Sequence, residues 1–341
     1  MKKRYNSIDI FSGCGGLSAG LYKAGFDIKA AIEIDEDAAR TYVMNYKKEY
    51  LIQKDIRSVS VSEVKNRLKG EPLHLLAGCP PCQGFSSIRR LNGINKRDLR
   101  NDLIFEYLRF VKALKPLTIM MENVPGLLKY YKFKLMLKEL KKLGYKIEIR
   151  LVNVKDYGVP QRRRRLVLVG SRLGEIKVAT GIYKQKTVRD AIRNIEATTY
   201  TNDPIHKIYP SHSKRIMRMI KKIPKDGGSR KDLSKWYELD CHSKKNIGFN
   251  DIYGRLRWDD FSTTITGGCL NPSKGRFLHP TKNRTITARE AALLQSFPPN
   301  YKFPEDISIT SLSLLIGNAL PPKFSYIQCK NIRHHLEKYL I

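Results

Sequence analysis

From Tyr5 to about residue 185 the chain alternates short apolar runs with stretches of helical spacing, and the runs end in a recurrent way. Tyr5 to Phe11 closes on Ser12-Gly13-Cys14-Gly15-Gly16, and Ile28 to Ile34 closes at Glu33 before Asp35-Glu36-Asp37. Gln53 to Ile56 closes near Asp55, and Leu75-Leu76-Ala77 closes on Gly78. Short apolar runs bounded by Gly or acidic residues read as buried strands. Strands separated by helices pair in parallel, with the helices covering both faces of the sheet. The alternation predicts a doubly wound α/β domain, whose site lies beyond the carboxyl ends of its strands.

Helical spacing fills the gaps: Leu17 to Lys23 stopped by Gly25, Ala38 to Asn45, a stretch opened by Ser62-Glu63 and closed by Gly70, Asp102 to Leu114 ended by Pro116, and Lys132 to Leu143 stopped by Gly144. Thr118 to Met121, Ile147 to Asn153 and Leu166 to Gly170 add strands. The glycines of the first turn let a ligand approach backbone N–H groups at a helix N-terminus, which suits a nucleotide-like cofactor. They stand at 13, 15 and 16, without the later third glycine of the dinucleotide fingerprint, so a purely structural turn is an equal reading. Glu33 stands where this topology binds ribose hydroxyls. Asp35 to Asp37 read as cap and dipole residues of the next helix.

In Cys79-Pro80-Pro81-Cys82, two prolines fix the backbone and place Cys82 at a strand's carboxyl end. A thiol there is a nucleophile, a redox partner of Cys79, a zinc ligand or an inert buried cysteine, and the local residues do not choose. Glu122, at the tip of the presumed neighbouring strand, can pair with it as acid or base. In Arg162-Arg163-Arg164-Arg165, strand alternation puts Arg163 and Arg165 on one face and Arg162 and Arg164 on the other. The basic stretch Arg89 to Arg100 suits a segment that closes over a polyanion.

Charge supports such a partner. Against 32 Asp+Glu stand 64 Lys+Arg, a formal net charge of +32, which points to nucleic acid, although an AT-biased coding sequence would also raise lysine. Six cysteines, at 14, 79, 82, 241, 269 and 329, make no secreted disulfide framework. No apolar run approaches a membrane span, and Met-Lys-Lys-Arg leads into a mixed strand rather than an apolar signal segment. A cytoplasmic protein without membrane contact is expected. With 341 residues, two or three domains are expected.

After about residue 185 helices become few, and Gly, Pro, His and basic residues recur among short β-like runs, which marks a second domain. Its clear helix candidate, Ser211 to Ile223, carries Ile216, Met219, Ile220 and Ile223 on one face, with Lys214, Arg215, Arg218, Lys221 and Lys222 around them. That is either a plain surface helix or a phosphate contact. His206, His212, Cys241 and His242 lack the Cys-x-x-Cys pairs of a zinc site, and no metal is expected. Thr287 to Gln295 is helical and ends at Phe297-Pro298-Pro299. The tail, Leu312 to Ile316 and Pro322 to Tyr339, is helical again.

Together these stretches resemble the DNA (cytosine-5) methyltransferases of the bacterial, single-chain type, over nearly the whole chain outside roughly 190–255. Six blocks in order carry the resemblance: Phe11 to Gly16, Pro80-Pro81-Cys82-Gln83, Glu122-Asn123-Val124, Gln161-x-Arg163-x-Arg165, Arg289-Glu290 with Gln295, and Gly317-Asn318-Ala319. The resemblance implies a Rossmann-like methyltransferase domain over 1–185 plus 302–341, and a smaller, irregular, β-rich target-recognition domain over 186–301. It implies S-adenosylmethionine as cofactor, leaving as S-adenosylhomocysteine, held by Phe11, Gly13, Cys14, Glu33, Ile34, Asp55, Ile56, Pro81, Leu103 and Asn318. Cys82 is then the thiolate that adds to carbon 6 of a flipped-out cytosine and makes carbon 5 nucleophilic. Glu122 shares a proton with ring nitrogen 3, Arg163 binds the exocyclic oxygen and Arg165 holds the loop. Gln83, Ser86, Arg89, Arg255 and Arg257, with Trp258, are the expected contacts to double-stranded DNA. A monomer in the cytoplasm, associated with the nucleoid and acting separately from any cognate restriction endonuclease, is expected. A tRNA substrate is the alternative, but the sister group that uses it carries a Cys-Phe-Thr tripeptide that this chain lacks. The intact Cys82, Glu122 and Arg163 speak against a non-catalytic DNA-binding protein, and a Cys79/Cys82 oxidoreductase would explain neither the charge nor the second domain.

Overall fold

The computed structural model describes residues 4–81, 102–181, 183–195, 202–234, 237 and 251–340. Cys82, Gln83, Ser86 and Arg89, the basic stretch to Arg100, and Cys241 and His242 lie outside the described residues. The chain divides into two compact units: Met1–Tyr157 with Arg164–Ile182 and Leu320–Ile341, and Gly158–Arg163 with Tyr183–Ala319.

The first unit is built on strands β1 (Tyr5–Ile10), β2 (Phe26–Glu33), β3 (Leu51–Gln53), β4 (Leu75–Gly78), β5 (Thr118–Asn123), β6 (Lys146–Asn153) and β7 (Arg164–Ser171). They form one sheet in the order β3-β2-β1-β4-β5-β7-β6. The first five are parallel, and β7 runs antiparallel between β5 and β6. Strands β1, β4 and β5 are buried at every position, as parallel strands covered on both faces must be. Around them lie helices α1 (Gly16–Lys23), α2 (Glu36–Asn45), α3 (Val61–Asn66), α4 (Leu103–Leu114) and α5 (Tyr131–Lys142). One core joins Ile8, Ile10 and Leu76 of the sheet to Ile104, Phe110 and Met136 of the helices. Strand order reverses at β1, which has β2 on one side and β4 on the other. The carboxyl ends of these strands therefore flank the switch point where open sheets bind ligands.

Two boundaries differ from the sequence reading, for local reasons. β3 stops at Gln53 because the Asp55 side chain accepts the Arg57 N–H and caps a 3-10 turn, Ile56–Ser58, in place of an extended backbone. α3 starts at Val61 because Ser60 caps it, accepting from Glu63 N–H.

The last helix of the chain, α10 (Pro322–Tyr339), returns to the first unit. Ser325 Oγ donates to the Leu17 carbonyl of α1 at 2.9 Å. The two helices approach so closely that a Cβ on Gly20 would stand 2.0 Å from Ser325 Oγ. The first unit is discontinuous, and its C-terminal share begins at Leu320, where the sequence reading puts residue 302.

Residues 302–319 and 158–163 belong to the second unit. Gln295 Nε2 donates to the Ile316 carbonyl at 2.7 Å, and Leu270 N–H donates to Ser313 Oγ at 3.3 Å, which holds that segment to its own unit. The helices of this unit are α6 (Val188–Ile192), α7 (Lys214–Lys222), α8 (Ala288–Leu294) and α9 (Ile309–Asn318). The expectation of a β-rich domain is corrected here. Among its described residues the unit has no named strand, only isolated bridges between Gln161 and Ser262, Arg255 and Leu278, and Leu278 and Thr285. Some of its carbonyls accept from side chains, those of Gln161, Arg163, Arg255, Arg276 and Arg289, and others from backbone N–H groups in turns and isolated bridges.

Candidate active site

The turn after β1 is set by backbone shape. Phe11, Gly13 and Gly15 have φ of 61°, 54° and 90°, a region that glycine enters at little cost, and Phe11 enters it held by its neighbours. A Cβ at Gly13 would meet no atom within 4 Å, so this side of the turn borders open space. Glu33, at the tip of β2, accepts from Gly13 N–H at 2.7 Å, Ile34 N–H at 2.9 Å and Asp35 N–H at 2.8 Å. Burial pushes its carboxyl up, partly offset by these three donors. Asp35 caps α2, accepting from Ala38 N–H at 2.8 Å, as its sequence context implied. Beneath the turn, the fully buried Asp9 accepts from Ser18 Oγ at 2.7 Å, and burial pushes its carboxyl up to about 7.

The other expected cofactor residues of this unit are placed individually. Cys14 is buried, and burial pushes its thiol up to about 12, so what it offers a ligand is backbone rather than thiolate. Ile34 is exposed, Ile56 is buried, and Leu103 and Pro81 are half-buried, Leu103 as the first residue of α4. Asp55 carries a two-point pair with Arg57, Nε to Oδ1 at 3.0 Å and Nη2 to Oδ2 at 2.5 Å, which holds its carboxyl below the usual range.

At the tips of β4 and β5 the register puts Gly78 beside Met121, so Glu122 comes level with the start of the Cys79-Pro80-Pro81 turn. Asn123 Nδ2 donates to the Pro80 carbonyl at 2.9 Å, and its Oδ1 accepts from Val124 N–H at 2.8 Å. One buried amide thus fixes the proline turn against the neighbouring strand, a role the sequence reading missed although it quoted Asn123 within its block. Glu122 is 8% exposed and pairs with Arg165, Nε to Oε1 at 2.7 Å. The antiparallel register sets Glu122 opposite Val167, which makes Arg165 its diagonal neighbour on the same face of the sheet.

Arg163 lies in the second unit, just before β7, and is 4% exposed while Arg162 and Arg164 are exposed, as the alternation predicted. Its Nη1 donates to the Ile265 and Gly317 carbonyls, each at 2.9 Å, and its Nη2 to the Ala319 carbonyl at 3.3 Å. Arg163 therefore grips both residues flanking Asn318, which ends α9 exposed. Gln161 completes the cluster: its Oε1 accepts from Ile265 N–H at 3.0 Å, and its Nε2 donates to the Leu294 carbonyl at 3.2 Å and to Gln295 Oε1.

The family model of the C-5 cytosine-specific DNA methylases matches residues 5–334. The chain belongs to this family. It is similar to the Type II methylase M.HgiDII of Herpetosiphon aurantiacus, 33% identical with 97% of this chain and 95% of the relative covered. It is also similar to the Type II methyltransferase M.NgoPII of Neisseria gonorrhoeae, 31% identical over 97% of this chain and 96% of the relative. Among solved structures it resembles a prophage-encoded E. coli protein described as a DNA modification methyltransferase, with a TM-score of 0.75 and 26% identity, covering 98% of this chain and 99% of the other.

The methylase's expected DNA contacts divide. Arg257 is exposed. Arg255 is not, and the expectation for it is corrected. It is 0% exposed, and its guanidinium donates to the carbonyls of Ile220, Ile223, His279 and Lys282 and to Asn283 Oδ1, so its donors serve the unit itself. Trp258 is half-buried, edge-on to His279 at 5.3 Å. The Arg289-Glu290 block is also structural: Arg289 pairs with Asp203 and Glu290 with Arg284, both inside the unit. Among the described residues no group of three His, Cys, Asp or Glu side chains could hold a metal ion, and no helix is long and apolar enough to cross a membrane.

Proposed function

We propose that this DNA methylase is the modification partner of a separate restriction endonuclease, and that it methylates carbon 5 of a cytosine flipped out of one specific double-stranded sequence. The observation that carries the reading is the buried Glu122–Arg165 pair at the tip of β5, level with the proline turn that Asn123 fixes and that leads directly to Cys82. In this reading the Cys82 thiolate bonds to carbon 6 of the ring, and electron density moves to nitrogen 3, where Glu122 shares a proton. Carbon 5 becomes nucleophilic and takes the methyl. Loss of the carbon 5 proton then expels the thiolate and restores the ring. Arg165 orients Glu122, while the Arg163 guanidinium, already donating to the Ile265, Gly317 and Ala319 carbonyls, holds the backbone around Asn318.

S-adenosylmethionine, when bound, supplies a methyl group on a positively charged sulfur. The open space beside Gly13 and the anchored Glu33 carboxylate, which keeps acceptor capacity for hydroxyls, fit a nucleoside at the turn. Phe11, Cys14, Ile34, Asp55, Ile56, Pro81 and Leu103 are assigned to it, and Asn318 by the family resemblance alone. Gln83, Ser86, Arg89 and Arg257 are assigned to DNA. The Type II names of the relatives support the pairing with an endonuclease.

The test uses labelled methyl donor with duplex DNA and tRNA in parallel, and a duplex carrying 5-fluorocytosine as a trap. Wild-type protein should label DNA and not tRNA, and should become covalently attached to the fluorinated duplex. Cys82→Ser should lose both reactions while still binding the cofactor. Labelling of tRNA alone, or full turnover by Cys82→Ser, would end this reading.

A further inference from the structure

Helix α7 is built to present charge. Its sequence, Lys214–Lys222, holds five cations and no anion. At about 100° per residue, Lys214, Arg215, Arg218, Lys221 and Lys222 fall within an arc of roughly 120°. All five are exposed. The opposite side, Met219, Ile220 and Ile223, is buried against Ile252, Tyr253 and Leu278. The helix is also anchored at its end, where Arg255 donates to the Ile220 carbonyl at 2.8 Å and the Ile223 carbonyl at 3.2 Å. Those are carbonyls that a helix C-terminus leaves without partners, and a cation there is favoured by the helix dipole. The charged side is therefore held on a rigid element.

Among the described residues no carboxylate pairs with the five cations. Arg162, Arg189, Arg276, Arg284 and Arg289 of the same unit each have a carboxylate within 3.1 Å. Arg218 stands three or four positions from each of the other four, spacings at which like charges repel, and Lys214 and Arg215 also oppose the helix dipole at its N-terminal end. A helix that accumulates such repulsion without internal compensation is suited to an external polyanion.

We propose that the exposed side of α7 is a sequence-independent phosphate-contact surface of the recognition unit, with Arg255 as its positioning residue. The inference rests on double-stranded DNA being the substrate. The surface covers about 12 Å along the helix, and a DNA strand places a phosphate every ~3.4 Å of duplex axis, so at least three contacts are within reach. Each contact adds about 0.9 to the dependence of log affinity on log salt.

The experiment measures binding of a mixed-sequence duplex between about 50 and 200 mM salt. K214Q/R215Q/R218Q/K221Q/K222Q should lower the salt slope by about 2.7, so that its affinity changes roughly 40-fold less than wild type across that range. Methyl transfer at saturating DNA should be retained. K129Q/K134Q/K138Q/K141Q/K146Q, on and around α5, removes the same net charge from exposed lysines elsewhere and should move the slope by less than about 0.9. R218E/K222E tests the same surface with two changes and should lower the slope in the same direction. An unchanged slope in the α7 variants, or an equal fall in the α5 control, would overturn the proposal. A slope that falls in the α7 variants, together with wild-type protein that methylates no duplex, would overturn the proposed activity and leave the phosphate surface standing.

Discussion

Replacing Arg255 with methionine keeps an unbranched chain and removes the guanidinium. Four carbonyls then lose this donor, those of Ile220, Ile223, His279 and Lys282, at 2.8, 3.2, 3.0 and 2.5 Å, while Asn283 Oδ1, at 2.9 Å, keeps its bond from Lys225 Nζ. Hydrogen bonds to a charged group contribute about 1.5–3 kcal/mol each, but bonds sharing one side chain do not add. Disruption of a buried charged cluster costs typically about 3–5 kcal/mol. A loss of about 4 kcal/mol from the second unit is expected, and at ~2–4 °C per kcal/mol for a unit of this size its melting falls by about 8–16 °C. Calorimetry reads the shift, and hydrogen exchange over residues 214–223 locates it, because α7 loses its C-terminal anchor. Arg255→Lys, with one point charge in place of a planar fork, should recover only part of the loss. A variant that melts as wild type does, yet no longer discriminates among DNA sequences, would refute the reasoning and make Arg255 a base reader.

Two further perturbations probe the first unit. Gly20→Ala puts a methyl 2.0 Å from Ser325 Oγ and 2.5 Å from the Ser325 carbonyl carbon, so α1 and α10 must separate. The denaturation midpoint should fall by the equivalent of about 1–3 kcal/mol, and S325A should not rescue it, because the backbone clash remains. An unchanged midpoint would contradict the packing. Asp9 concerns pH. Its carboxyl is raised from 3.8 to about 7 in the folded protein, so the native state holds this proton more tightly than the unfolded chain. Below about pH 4 both states are protonated and nothing is lost, and between pH 4 and 7 stability falls as pH rises, by roughly 4 kcal/mol in all before levelling off. Asp9→Asn keeps an acceptor for Ser18 and cannot ionise, so its stability relative to wild type should climb across that window. Parallel curves for the two proteins would show that Asp9 does not carry the effect.

The alternation of apolar runs and helices, the acidic and glycine-rich strand tips, and the blocks around Cys82, Glu122 and Arg163 were legible in the residues. Strand burial and turn geometry depend on neighbours a few positions away. The alternation at 162–165 was legible on the same ground. Asp55 was not, because an aspartate between two short apolar runs is equally a strand end and a cap, and only its pairing with Arg57 decides.

The long-range roles belong to the tertiary structure. Nothing local distinguishes Arg255, which closes a buried cluster from 24 to 35 positions away, from the exposed Arg257 two residues on. Asn123 at Pro80, Gln161 at Gln295, and the allotment of 302–319 to the second unit likewise join segments far apart in the chain. The sequence by itself determined that a carboxylate and arginines would stand at strand tips of the first sheet, since periodicity and turn residues dictate strands and their ends. Which arginines face inward to satisfy carbonyls and which face outward was decided only by the fold, because a guanidinium suits either environment and burial alone separates them.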